Sequence, residues 1–241
     1  MSKRKLKKKR LIIFIVLLYL IFILIKNFPN FINFQFFSGY KIIKQDTNSN
    51  YSGIGQTKVK NQDGYFETFT TENNEKTYIE YKQNGNASWA QNEYWGGTME
   101  ENGCGITAIS IILSGYGKKL TPEDLRKKYY PVLNSEKISA ELSSFGIENS
   151  DFYFDSKHLS SESIEEHLQS NRPILICVWN KPQENRWTSA SHYMVLLATD
   201  GKGKVYVSNP NGGENDSKSS GWYKISEITT YLAKALYIES F

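Results

Sequence analysis

Asn102-Gly103-Cys104-Gly105-Ile106-Thr107-Ala108 opens the stretch on which the fold turns. Behind it Ile109, Ile111, Ile112 and Leu113 make residues 105–116 apolar on nearly every side, before Gly115 and Gly117 end the run. A helix that is apolar all round has to be buried, so the pattern predicts a central helix with Cys104 at its first turn. Unpaired backbone N–H groups and the positive end of the helix dipole favour a thiolate there, the attacking form of cysteine. The two flanking glycines leave room for a second backbone to approach closely. On this stretch alone, a small buried cysteine at a helix cap remains an equal alternative.

Working outward, residues 64–83 alternate as a β-hairpin closed by Glu72-Asn73-Asn74-Glu75. Thr121-Pro122-Glu123-Asp124 starts a helix, with a capping hydroxyl, proline in the first turn and acids at the positive end. Ser135 and then Ser161 or Ser163 start two more, ending near Gly146 and Asn171. Strands follow at 174–179, 191–199 and 204–209, then a short helix at 225–232 and a strand at 235–238. Helices first and an antiparallel sheet second predict an α+β domain.

A nucleophilic thiol needs a base, and the chain has three histidines. His158 falls in a polar linker. His167 falls late in a Glu-rich helix, where a solvent-facing cation would meet the negative helix end. His192 begins the strand Tyr193-Met194-Val195-Leu196-Leu197-Ala198, apolar on both faces and so central, with its polar first residue where a sheet edge opens. A two-residue turn at Gly201-Lys202 sets Met194 opposite Asn209, which brings His192 and Asn209 out on one face as diagonal neighbours. An Asn209 amide oxygen there would fix the ring plane and tautomer of His192. A slip of one residue would undo the pairing, and Asn209-Pro210-Asn211-Gly212 taken alone reads as a simple turn.

The order Gln83, Trp89-Ala90, Gly103-Cys104-Gly105 with Gly115-Tyr116-Gly117, Ser191-His192-Tyr193 and Val207-Ser208-Asn209-Pro210 resembles the bacteriocin-leader peptidase-like branch of papain-like cysteine peptidases, over residues 78–238. The resemblance implies an α+β papain-like fold, with the nucleophile helix packed on the C-terminal antiparallel sheet. It also implies hydrolysis of a peptide or amide bond through an acyl-thioester, with no cofactor and no metal. By the same likeness Cys104 is the nucleophile, His192 the base and Asn209 the orienter, although many relatives carry aspartate before that proline. The usual oxyanion glutamine, six residues before the nucleophile, is here Thr98; Gln83 could supply the donor from upstream, together with the Cys104 N–H.

Seven positive charges between Lys3 and Arg10 outweigh the net charge of +4, leaving −3 on the remainder. Basicity is thus a property of residues 1–10, and nothing points to nucleic acid. Residues 11–25 are uninterruptedly apolar, about 22 Å as a helix, and Phe28 extends the band beyond Lys26. We expect an uncleaved single-pass anchor over 11–28, because Lys26-Asn27-Phe28-Pro29 lacks the small residues of a signal cleavage site; a cleaved signal is the competing reading. The positive-inside rule puts the N-terminus in the cytoplasm and everything beyond residue 30 outside. Residues 29–63 read as a juxtamembrane stalk and 64–241 as the catalytic domain. Partners would then be the membrane and a peptide, protein or cell-wall peptide substrate. Cys177 lies in the apolar strand 174–179 and is expected to be a free buried thiol, not a disulfide partner. The competing functional class is an inactive binding module of the same fold, gripping a partner through Trp89, Tyr94, Trp95 and Trp187. Acyl transfer to an amine would use the catalytic set unchanged.

Overall fold

A computed structural model describes residues 56–61, 64–71, 76–181, 186–211 and 219–240. The basic tail, the anchor at 11–28 and the stalk up to residue 55 lie outside these. Among the described residues no helix is long and apolar enough to cross a membrane.

The expected hairpin forms from β2 (Gly64–Thr70) and β3 (Thr77–Glu80), with Phe69 opposite Tyr78. A strand that the sequence reading assigned to the stalk, β1 (Gln56–Asn61), adds to its outer edge, so the sheet starts before Gly64. A short ribbon of β4 (Glu93–Tyr94) and β5 (Gly97–Thr98) leads into α1 (Met99–Asn102) and α2 (Cys104–Gly115). Next come α3 (Pro122–Tyr129), a 3-10 turn (Ser135–Lys137) running into α4 (Ile138–Ser144), and α5 (Ser161–Leu168). The C-terminal part is β6 (Ile174–Trp179), β7 (Ser191–Thr199), β8 (Lys204–Ser208), β9 (Gly221–Lys224), α6 (Ile225–Thr229) and β10 (Leu232–Tyr237). Its five strands are antiparallel in the order β10-β6-β7-β8-β9. The domain is therefore α+β, with β7 at the middle of the larger sheet.

Local signals place the helix starts. Thr121 and Asp124 close a capping box on α3, the Thr121 N–H donating to Asp124 Oδ2 at 2.9 Å, a contribution of about 1 kcal/mol. In α2 every residue from Ile106 to Ser114 is buried, and Ile106, Ile109, Ile111, Ile112 and Leu113 each add about 1.5–3 kcal/mol of burial. The Ser114 hydroxyl accepts the Ile79 N–H at 2.8 Å, tying β3 to this helix. Gly115 is required by contact: a Cβ there would stand 2.1 Å from Cε1 of the Tyr78 ring. The helix that carries Cys104 is consequently a rigid support.

Alternation along β7 divides the core in two. Val195 and Leu197 face α2 with Leu175 and Leu236, while Met194 and Leu196 face Ile164, Leu168 and Ile228 on the opposite side. Three residues offered for a binding cleft belong to these cores instead. Trp89, Tyr94 and Trp187 are buried because each polar atom finds a backbone partner: Trp89 donates to Lys82 O, Trp187 donates to Glu227 O, and Tyr94 Oη accepts the Leu133 N–H. Only Trp95 of that group is exposed. His167 is corrected in the same way. Its ring is buried, edge-on to Tyr237 at 4.6 Å between centroids, and does not face solvent as a cation. His158 is half-exposed, bonded to Asp155 at 2.8 Å and stacked on Tyr153.

Candidate active site

Cys104 is placed by a helical restart. Thr98 caps α1 in a box with Glu101, so the residue standing at the usual oxyanion position is engaged as a helix cap. The Gly103 N–H closes α1 onto Met99 O at 2.8 Å, and α2 begins at the next residue. A Cβ on Gly103 would lie 2.4 Å from Met99 O, whereas one on Gly105 would meet only the Tyr193 ring, at 3.6 Å. The two glycines therefore differ. Gly103→Ala should force the restart apart and cost about 1–3 kcal/mol; Gly105→Ala should leave the melting temperature within about 2 °C. Thermal melts of both variants check this, and equal destabilisation would contradict it.

Around the sulfur stand the N–H groups of Tyr193, Gly105 and Cys104 itself, all favouring a thiolate. Burial is the larger influence and pushes the thiol above its ordinary value, although the residue as a whole is only half-buried. The N–H groups at the helix start favour a thiolate, as the sequence implies, but burial outweighs them, so the desolvated thiol calls for a base to take its proton. Cys177 is free and buried as expected, its thiol pushed up to about 11 by desolvation.

His192 is the second residue of β7, directly opposite Val178 and only 3% exposed. Its Nε2 lies 2.7 Å from Asn209 Oδ1. That oxygen also accepts the Asn211 N–H at 2.9 Å. A backbone N–H can donate only to the amide oxygen, so the orientation of Asn209 is fixed and Nε2 must carry the hydrogen. In the neutral ring Nδ1 is then the proton acceptor. The Tyr193 N–H that faces the Cys104 sulfur belongs to the residue following His192.

The register that brings His192 and Asn209 together arises from two departures that cancel. The β7–β8 loop closes one residue wider than a two-residue turn, with the Asp200 N–H on Lys204 O and Thr199 opposite Val205. A bulge at Leu197 then restores the expected pairing, Leu196 with Val207 and Val195 with Ser208.

The turn carrying Asn209 is held by three consecutive residues. Lys82 Nζ donates to Asn209 O at 2.6 Å, the Gln83 N–H to Pro210 O at 2.9 Å, and Asn84 Nδ2 to Asn211 Oδ1 at 2.6 Å. The Gln83 side chain reaches the other way, Nε2 donating to Glu100 O at 2.7 Å in α1. Its buried Oε1 has no hydrogen-bond partner among the described residues. Gln83 accordingly bridges the segment before Cys104 and the segment after Asn209, and its second amide hydrogen is not engaged by that bond. Lys82 was missed from sequence; its only signal is adjacency to Gln83.

The sequence profile of the Peptidase_C39 like family matches residues 77–234, roughly two thirds of the chain. No curated protein matches. Among solved structures, one described as a C39-like peptidase from Bacillus anthracis is similar with a TM-score of 0.44 and 11% identity, over 58% of this chain and 90% of that one. By the extent of the profile match, with an α+β domain that packs a cysteine-bearing helix on an antiparallel sheet, the chain belongs to the Peptidase_C39 like family, within the papain-like cysteine peptidase superfamily.

Proposed function

We propose that the domain is an active cysteine peptidase or amidase held at the outer face of a membrane by residues 11–28. The observation that carries the chemistry is the 2.7 Å bond from His192 to a geometrically fixed Asn209, on the strand whose next N–H faces the Cys104 sulfur. The basic residues before the apolar run support the topology. The order Gln83, Cys104, His192, Asn209 supports a likeness to the bacteriocin-leader branch.

In this reading His192 Nδ1 takes the proton of Cys104 as the sulfur attacks the scissile carbonyl carbon. The carbonyl π pair moves onto oxygen, where the Cys104 N–H and the Gln83 amide donate to it. Collapse of that intermediate breaks the C–N bond, and the imidazolium returns its proton to the departing amine. Water, deprotonated by the same nitrogen, then cleaves the thioester and frees the acid and Cys104. Asn209 keeps Nε2–H engaged throughout.

The chain has two cysteines, and Cys177 is buried, so thiol labelling reports on Cys104. A membrane-impermeant maleimide should label intact cells expressing the wild type and not the Cys104→Ala variant. On the purified domain, His192→Ala should slow the reaction by about tenfold or more. Labelling of the purified domain but not of intact cells would overturn the topology alone. A rate indifferent to His192 would overturn the catalytic assignment.

A further inference from the structure

The sheet carries a cation on the Cys104 side that the catalytic set does not use. Leu232 pairs with Val178, but Lys234 pairs with Cys177, so Ala233 is an extra residue bulged out of β10. Without the bulge Leu232 and Lys234 would share a face. With it Leu232 joins the core with Val178, and Lys234 turns to the face of Cys177, Tyr193 and Leu236. Bulges beside reactive sites commonly re-aim a side chain in this way.

Lys234, Cys177 and Tyr193 then stand directly opposite one another across three strands, so Lys234 is about 10 Å from Tyr193 between backbones. The Tyr193 ring closes the gap to the nucleophile. It is what a Cβ on Gly105, the residue after Cys104, would meet, at 3.6 Å, and its centroid lies 5.3 Å from Lys234 Nζ. On the outer side Tyr153 bridges to Ala235, which turns its neighbours Phe152 and Phe154 toward Lys234, with Nζ 4.3 and 6.0 Å from their ring centroids. Three aromatic rings thus surround one half-buried ammonium, and no carboxylate among the described residues pairs with it. Phe154 and Trp179, 69% and 61% exposed, leave the approach lined with bare aromatic surface.

From this placement we infer that Lys234 and its aromatic collar form a subsite for a carboxylate on the peptide substrate, one or two residues from the bond that Cys104 attacks. The inference rests on the peptidase reading for its substrate, but not for its geometry. A collar of rings lowers the dielectric around the ammonium and strengthens its attraction for an incoming anion, while the exposed rings accept the adjoining apolar part of the peptide.

The test uses a reagent long enough to span the gap: N-(5-carboxypentyl)maleimide against its primary amide, both alkylating Cys104 in the purified full-length protein. Wild type should react faster with the carboxylate reagent, by about fivefold at low salt. Lys234→Met keeps the stem against Phe152 and should bring the ratio to about one; Lys234→Glu should invert it. A ratio unchanged by Lys234→Met overturns the subsite. Cleavage of peptide pairs differing as Glu against Gln within the chain, or free against amidated C-terminus, then assigns the carboxylate to a side chain or a terminus. Intact carboxylate preference with no peptide cleaved would overturn the peptidase reading and leave the subsite standing. Normal cleavage without preference would do the reverse.

Discussion

His192→Ala is expected to lower kcat by about four orders of magnitude or more on any peptide the domain cleaves, with the fold retained. Removal of a base from a unit acting on one nucleophile costs nearly as much as removal of the whole unit, and here the demand is sharpened because burial pushes the Cys104 thiol above its ordinary value. Asn209→Ala tests a different link. It deletes the acceptor on Nε2 and leaves the ring free to turn or change tautomer, for an expected loss of about 10²-fold in kcat with KM little changed. Asn209→Asp keeps an oxygen for both Nε2 and the Asn211 N–H. It should stay within about tenfold of wild type, but the ascending limb of its pH profile should move upward, because a carboxylate beside His192 favours the imidazolium. Steady-state kinetics of the three variants on a substrate found by mass-spectrometric profiling check this order. Activity in His192→Ala comparable to wild type, with Cys104→Ala inactive, would remove histidine from the mechanism.

The parts of this site that could be read from the sequence are those fixed by local pattern. An apolar run after Gly103-Cys104-Gly105 can only be a buried helix, and Thr121-Pro122 can only open one. His192 and Asn209 were placed on one face by a simple alternation argument. The argument reached the right pairing because the wider loop at Gly201-Lys202-Gly203 and the bulge at Leu197 cancel, a compensation that no periodicity reveals. Lys234 was not seen because the expected strand began at Ala235, whereas β10 begins at Leu232 and carries a bulge at Ala233. In Leu232-Ala233-Lys234-Ala235-Leu236 strict alternation would put Leu232 on the face of Lys234 and Leu236, and the bulge at Ala233 separates it from them. The aromatic residues misled for another reason. Whether Trp89 or Trp187 lies in a cleft or in a core depends on a backbone carbonyl, Lys82 O or Glu227 O, waiting far along the chain or across a turn. Such partners are properties of the tertiary fold.

The same hidden partnering governs His167 and gives the largest expected dependence of stability on pH. Desolvation, aided by the positive charge of Arg172, lowers its pKa from 6.5 to about 4, only partly offset by the carbonyls of Ile238 and Pro173. A histidine whose folded pKa is depressed binds its proton more readily in the unfolded chain, so protons favour unfolding. Its stabilisation is complete above the unfolded value near 6.5 and drains away as the pH falls toward 4. A shift of this size, reduced for partial solvent screening, corresponds to about 2 kcal/mol, or about 4–8 °C in melting temperature for a domain of this length. The window is separable from the ordinary acid transition. Glu123, held down to about 2 by its bond to Arg126, loses its contribution only below about 4.5. His167→Gln cannot take up the proton, so its melting temperature between pH 6.5 and 4 should fall less steeply than that of the wild type, the difference between the two curves closing toward the acid end. Parallel curves across that interval would show that the buried ring does not titrate there, and that the packing of α5 on Tyr237 tolerates the imidazolium.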